Sequence, residues 1–247
     1  MLEHFQGEEA FVERVLDARD RAGRGTPVLT RFLNPREREI VQSVIGAELK
    51  VESRGGFADA ESQRVLIAPE WWETTEEDFQ IDVFLVKYNT SFGTLGHRDV
   101  LGALMHLGMD RDVIGDIAQE PLAFAICHEH SDYVLMHLDT IRRSSITLEL
   151  SSEPLEIHQA YETGEYILSS LRLDKVLSSC FRVSRAKAQD AIRHGDVKVN
   201  WRVTEDVSHV MKDGDMLSFR HHGRMKLALT DKTTRSGNYV ALGHHYK

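Results

Sequence analysis

The sequence predicts an α+β fold in three small units, spanning residues 1–77, 78–165 and 168–236 of 247. Three observations carry that expectation. Apolar positions switch repeatedly between helical spacing and strict alternation. An acidic stretch from Glu73 to Asp78 interrupts the pattern and marks a boundary. The charge is also divided: residues 165–247 hold fifteen Lys and Arg against nine Asp and Glu, and residues 1–164 hold fifteen against thirty. A chain of formal charge −9 therefore has a C-terminal third at +6 and the remainder at −15. Phosphates are drawn to clustered cations and repelled by carboxylates, so this division points to a polyanion engaged by one end of the chain.

Composition bounds the function classes. At 41% hydrophobic and 28% charged residues, the chain reads as globular and soluble. No run of eighteen apolar residues offers a membrane span. Met1 to Arg24 is charged throughout, unlike a secretory signal, so a cytoplasmic protein is expected. Cys127 and Cys180 lie far apart, which suits two partly buried thiols rather than a disulfide framework, a zinc site or a redox pair.

Met1 to Arg24 places Phe5, Phe11, Val12, Val15 and Leu16 at helical spacing, and Gly23, Gly25 and Pro27 end it. A strand is expected at Val28–Phe32. Asn34-Pro35 then reads as an N-cap followed by Pro at the first helical position. The helix Arg36–Gly46 carries Ile40, Val41, Val44 and Ile45 on one side, and Leu49–Glu52 and Arg64–Ile67 read as short strands. Gly55-Gly56 between them lacks the Gly-Lys-Ser/Thr of a phosphate loop.

The middle segment alternates strand, helix, strand, strand, helix, strand: Ile81–Lys87, Arg98–Leu107, Ile114–Gln119, Leu122–Cys127, His130–Leu138 and Ile146–Leu150. That order is the ferredoxin-like plait also used by RNA-recognition domains, here without their aromatic signature. His97-Arg98-Asp99 imitates a kinase catalytic loop, but the rest of the kinase set is absent. Asp99 is therefore read as a carboxylate at a helix N-terminus, and His97 and Arg98 as structural. Cys127-His128-Glu129-His130, with His137, contains metal-capable side chains, but the segment passes from strand to helix there, so no metal is expected.

In the C-terminal third, Leu173, Val176, Leu177 and Cys180 form one helical stripe, with Arg172 and Lys175 on the other side. Ser184 caps a second helix that Gly195 stops. On it Ala188, Ala191 and Ile192 share the packing side, while Arg185, Gln189 and Arg193 share a polar side with Arg182 nearby. Strict alternation follows: Val197, Val199, Trp201 and Val203 on one side of a strand, Lys198, Asn200 and Arg202 on the other. Trp201 is thereby read as core. Asp213-Gly214 marks a turn, Met216–Arg220 and Lys226–Leu229 read as strands, and His221-His222 and His244-His245 as polar turn or tail residues.

Over about residues 170–230 this order resembles the alpha-L RNA-binding domain first described in ribosomal protein S four. The resemblance rests on Arg172-Leu173-Asp174-x-x-Leu177, Ser184-Arg185-x-x-Ala188, Ile192, Gly195-x-Val197-x-Val199-Asn200, Val210 and Gly214-Asp215. It implies a basic helical face presented to structured RNA, with Arg172, Lys175, Arg182, Ser184, Arg185, Lys187, Lys198 and Asn200 as contact candidates. Arg193 and Arg202 join them from the charge pattern. Asp174 could also hold Arg172 in a structural ion pair. The residue after Asn200, often Gly in these domains, is Trp201 here.

Together with the middle segment, Leu95-x-His97-Arg98-Asp99-x-x-Gly102 and Gly108-x-x-Arg111-x-x-Ile114-Gly115-Asp116-Ile117 resemble the YlmH family of bacterial RNA-binding proteins. That resemblance implies a non-enzymatic, cytoplasmic protein with no cofactor, catalytic residues or metal. Its partners would be structured RNA (ribosomal RNA or tRNA) and the large ribosomal subunit, with neither membrane nor DNA, in translation or its quality control and in a group linked to the cell-division gene neighbourhood. Two other classes stay open. Alpha-L domains are also attached to pseudouridine synthases, RNA methyltransferases and tyrosyl-tRNA synthetases, although no catalytic motif of these is found outside the Arg172-Leu173-Asp174 run, which belongs to the binding domain. The acidic units could also serve as a protein-interaction adaptor.

Overall fold

A computed structural model describes residues 5, 7–152, 155–156 and 161–246. The chain divides into two compact units, 1–158 and 159–247. Among the described residues no helix is long and apolar enough to cross a membrane.

The first unit opens with helix α1 (Glu9–Gly23), strand β1 (Val28–Leu33), helix α2 (Pro35–Ile45) and strands β2 (Lys50–Arg54) and β3 (Gln63–Ala68), the strands ordered β1-β3-β2 and antiparallel. Asn34 caps α2 as its residue type suggests. Its side chain accepts from the Glu37 backbone N–H at 3.0 Å, the Glu37 carboxylate accepts from the Asn34 N–H at 2.9 Å, and Pro35 occupies the first turn. Val12, Val15, Ile40, Val41 and Val44 close a small core over Val65 and Ile67.

The plait follows: β4 (Ile81–Tyr88), α3 (His97–His106), β5 (Ile114–Gln119), β6 (Leu122–Cys127), α4 (Ser131–His137), a short β7 (Thr140–Ile141) and β8 (Ser144–Leu150). Its sheet runs β5-β6-β4-β8-β7, the ferredoxin-like order with one added edge strand that the sequence pattern does not announce. Asp99 stands in the first turn of α3 and accepts from the Gly96 N–H at 3.0 Å. His128 to His130 form a 3-10 turn ahead of α4, which shortens the helix expected from His130.

The segments expected as 1–77 and 78–165 pack against each other within one unit. Phe32 and Phe57 are buried in the cluster that holds Phe84 and Phe124 of the plait. Gly115 makes this packing possible, since a Cβ there would meet the Phe32 ring at 2.8 Å. Asp116 lies beside that contact and accepts from the backbone N–H groups of Glu61 and Ser62. Burial raises its carboxyl pKa, and those bonds oppose the rise.

The second unit consists of β9 (Tyr161–Leu168), α5 (Leu173–Cys180), α6 (Arg185–Arg193), β10 (Val197–Val199), β11 (Arg202–Val203), β12 (Met216–Phe219), β13 (Gly223–Thr233) and β14 (Tyr239–Tyr246). The antiparallel sheet is ordered β11-β10-β12-β13-β14-β9. Leu173, Val176, Leu177, Ala188 and Ile192 of the helices pack on Val197, Val199, Leu217, Phe219, Met225, Leu227 and Ala241, which all point to one side of the sheet.

Three features of this unit differ from the sequence-based expectation. The strand expected to run through Val203 stops at Val199, because Asn200 and Trp201 both adopt positive φ (48° and 65°). They form the two-residue turn of a hairpin with β11, so Trp201 is a turn residue and Val203 is 46% exposed. The His244-His245 tail is instead part of strand β14, with His245 against the Tyr166 hydroxyl at 2.7 Å. Finally, β9 and β14 extend the sheet on both sides of the expected 168–236 span, pairing with each other from Tyr161–Tyr246 to Leu168–Tyr239.

Candidate nucleic-acid interface

The helical face of the second unit is organised by one carboxylate. Asp174 is fully buried in α5 and accepts three side-chain donors: Arg172 Nε at 3.2 Å, Arg185 Nε at 2.9 Å and Gln189 Nε2 at 2.8 Å. Arg185 and Gln189 lie four residues apart on α6, so the carboxylate ties the two helices together. Burial alone would raise the Asp174 pKa, but the bonds from Gln189, Arg172 and Arg185 outweigh it and hold the carboxyl at about 2. Asp174 is ionised at any physiological pH.

Both arginines reach solvent around this anchor, with side chains 39% exposed for Arg172 and 54% for Arg185. A guanidinium has five N–H donors in a rigid fork, and an ion pair made through one edge leaves others for a phosphate. The buried carboxylate thus orients two cations.

The remaining candidates fall into two groups. Lys175, Arg182, Ser184, Lys187 and Arg193 lie on the two helices or their connection. Lys175 donates to Ser169 Oγ at 3.0 Å, Lys187 Nζ stands 3.4 Å from His222 Nε2, and Arg193 pairs at 3.5 Å with Asp190, an exposed contact of little strength. Arg182 is exposed at the helix corner, with φ 55°. Ser184 spends its hydroxyl oxygen as the α6 cap, accepting from the Lys187 N–H at 3.2 Å.

Lys198, Asn200 and Arg202 lie elsewhere. Lys198 alternates with Val197 and Val199, which face the helices, so it projects from the opposite side of the sheet. The Asn200 amide is engaged in the hairpin turn, donating to Asp215 Oδ1 at 2.8 Å and accepting from the Met216 N–H at 2.9 Å. Arg202 sits on the edge strand opposite Val199. Seven of the ten candidates thus lie on the two helices, their ends or their connection, with Arg185 and Lys187 on different sides of α6, and the other three lie on the sheet or its turn.

The ion pair of Asp174 with Arg172 is open to sequence reasoning, but its link across to Arg185 and Gln189 is not assigned by it. The carboxylate inside Arg172-x-Asp174 and the helical spacing of Arg185 and Gln189 are its signals, but nothing local brings residue 174 to residue 185. Elsewhere, burial pushes the Cys127 and Cys180 thiols up to about 12. Among the described residues no three His, Cys, Asp or Glu side chains gather as a metal cluster would require.

Comparison with known proteins covers nearly the whole chain. Residues 7–71 match the family described as "YlmH, N-terminal", 74–154 the "Putative RNA-binding domain in YlmH", and 171–217 the "S4 domain". The chain is 35% identical over 244 residues to the "Ribosome-associated protein quality control protein P2" of Bacillus subtilis, covering 96% of this chain and 95% of the relative. Among solved structures it is similar to the "Cell division protein ylmH from Streptococcus pneumoniae". The TM-score is 0.52 at 26% identity, over 58% of this chain and 90% of that one.

Proposed function

The chain belongs to the YlmH family, and from that premise we propose that it is a non-enzymatic, cytoplasmic binder of structured RNA. It engages ribosomal RNA of the large subunit, with or without tRNA, in ribosome-associated quality control. The observation that carries this reading is the Asp174 anchor, which presents Arg172 and Arg185 in fixed orientation inside the stretch matching the S4 domain, where Arg182 and Lys187 are also exposed. The relative's name places that protein at the ribosome in quality control. The +6 charge of residues 165–247 supplies the long-range attraction.

Cosedimentation of the full chain with separated ribosomal subunits across a salt series tests the proposal. Arg185→Glu would set a second carboxylate against Asp174 and disturb the fold, so the informative variant is Arg182→Glu with Lys187→Glu, neither of which touches that anchor. Large-subunit binding that falls steeply with salt and disappears in the variant supports the helical face. Unchanged sedimentation of a folded variant, or binding to neither subunit, rejects it.

A further inference from the structure

The side of the second unit's sheet turned away from α5 and α6 carries a row of rings and cations. From the strand pairing, Lys198, Arg224, Lys226, His244, Tyr246 and Tyr161 all point to that side. The Arg224 guanidinium carbon lies 5.9 Å from the centre of the Trp201 ring and 5.7 Å from that of Tyr246. Tyr246 is followed by Tyr161 at 6.0 Å, and Tyr161 meets His244 edge-on at 4.9 Å. The row runs from the Asn200-Trp201 turn to the outer strand β9, where Tyr161 is 53% exposed. Lys198 and Lys226 are exposed beside it. Among the described residues paired on that side, Glu165 is the one carboxylate, four residues along β9 from Tyr161.

Rings with cations between and beside them are unlike an interior surface, and the apolar Ile167, Val240 and Leu242 of the same side lie toward the other end of β9 and β14. It has two chemical complements in one molecule: the flat face of an unstacked base for a ring, and the adjoining phosphate for Arg or Lys. A duplex hides its base faces within the stack, so the ligand must be unpaired. The positive φ values of Asn200 and Trp201 belong to this arrangement, since a strand continuing through Trp201 would have turned its ring toward the helices. We propose that this sheet face is a second RNA-binding surface, stacking bases of an unpaired RNA segment on Tyr161 and its neighbouring rings and holding the backbone with Arg224, Lys226 and Lys198. It is separate from the helical face, and the two can fail independently.

Fluorescence anisotropy of the full chain with a labelled short oligouridine and with a labelled RNA hairpin separates them. Tyr161→Leu keeps an apolar group at an exposed edge and removes the ring. It is expected to weaken oligouridine about tenfold, equivalent to about 1.4 kcal/mol, with hairpin affinity unchanged. Tyr161→Phe is expected to bind oligouridine like the parent, because the ring suffices. Lys226→Glu, at an exposed position, is expected to weaken oligouridine and flatten its salt dependence. Arg182→Glu with Lys187→Glu is expected to do the reverse, losing the hairpin and keeping the oligouridine. Parent-like oligouridine affinity in both Tyr161→Leu and Lys226→Glu overturns the assignment and leaves the face to a protein partner. Failure of the parent to bind oligouridine overturns it as well.

Discussion

The two units of this chain differ in what their ion pairs leave exposed. In the first, several arginines are engaged by carboxylates of the same unit. Arg31 bonds Asp110 and Asp112 at 3.0 and 2.8 Å, Arg36 pairs with Glu8 at 2.8 Å and Arg54 with Glu76 at 2.9 Å. Their guanidinium pKa values are raised accordingly, by bonding to these partners. In the second unit Arg193 and Arg220 also pair with Asp190 and Asp196, but the buried carboxylate of Asp174 holds two arginines without covering them, and Arg182 and Lys187 are exposed. The lesson is that the sign of a region's charge is a coarse guide to a polyanion surface. A cation marks such a surface only where its ion pairs leave donors open to solvent, as those of Arg172 and Arg185 do.

The comparison is broken most directly by charge reversal on each side. Arg182→Glu with Lys187→Glu is expected to weaken structured RNA about a hundredfold, equivalent to about 2.7 kcal/mol, nearly equally for all sequences. The slope of log affinity against log salt should fall by about 0.7 to 0.9 for each phosphate no longer neutralised. Arg54→Glu in the first unit should leave both quantities unchanged. A comparable weakening from Arg54→Glu, read by the same titration, would mean that the acidic unit also binds RNA.

Asp174→Asn sharpens the comparison from within. Removing the charge leaves Arg172 and Arg185 without their anchor, and a cost of about 2 kcal/mol is expected from charged hydrogen bonds weakened in a buried site. The pH dependence has a definite sign. Because the folded pKa, about 2, lies below the ordinary carboxylate value, the stabilisation is complete above about pH 4 and is lost as pH falls toward 2. Thermal melts between pH 6 and 2 should show that acid-side loss in the parent and a shallower one in Asp174→Asn. Identical profiles would remove Asp174 as the organising group.

Much of this arrangement is legible in the sequence, and the gaps have physical causes. Strands β5 and β6 match their expected bounds because turn residues at Glu120-Pro121 separate them and β6 is an unbroken apolar run. Ser184 and Asn34 are readable because a cap is a local hydrogen bond. Strands β9 and β14 escape because their outward positions include Ile167, Val240, Leu242 and Tyr246, which blur the apolar-polar alternation that reveals a half-buried strand. The turn at Asn200-Trp201 escapes because Val197, Val199, Trp201 and Val203 keep a period of two straight through it. Of the ten candidate RNA-binding residues, the helical ones are grouped by spacing alone. The outlying position of Lys198 and the engaged amide of Asn200 depend on pairing with β12, which lies about sixteen residues further along the chain.

That turn yields the next effect in size. Asn200 holds φ 48° and two side-chain bonds, so Asn200→Ala should cost about 1 to 2 kcal/mol, whereas Asn200→Gly should recover the backbone share. Equal melting of the two variants would assign the whole cost to the side-chain bonds.

The smallest effect lies in the first unit. His128 Nδ1 stands 2.8 Å from Asp82, and that hydrogen bond, before the charge of Asp82, raises the imidazole pKa above its ordinary value. The stabilisation it adds is therefore complete below about pH 6.5 and is lost as pH rises through the raised folded value. The imidazole is 66% exposed, so solvent screening limits the gain to a few tenths of a kcal/mol, about the value of a surface pair. His128→Gln should flatten the melting profile of the first unit between pH 6 and 8 by that small amount and leave the acid-side loss assigned to Asp174 untouched. An effect on the acid side would couple the two units' titrations, and the contrast between a unit whose arginines are paired internally and one whose anchored arginines stay open to solvent would no longer hold.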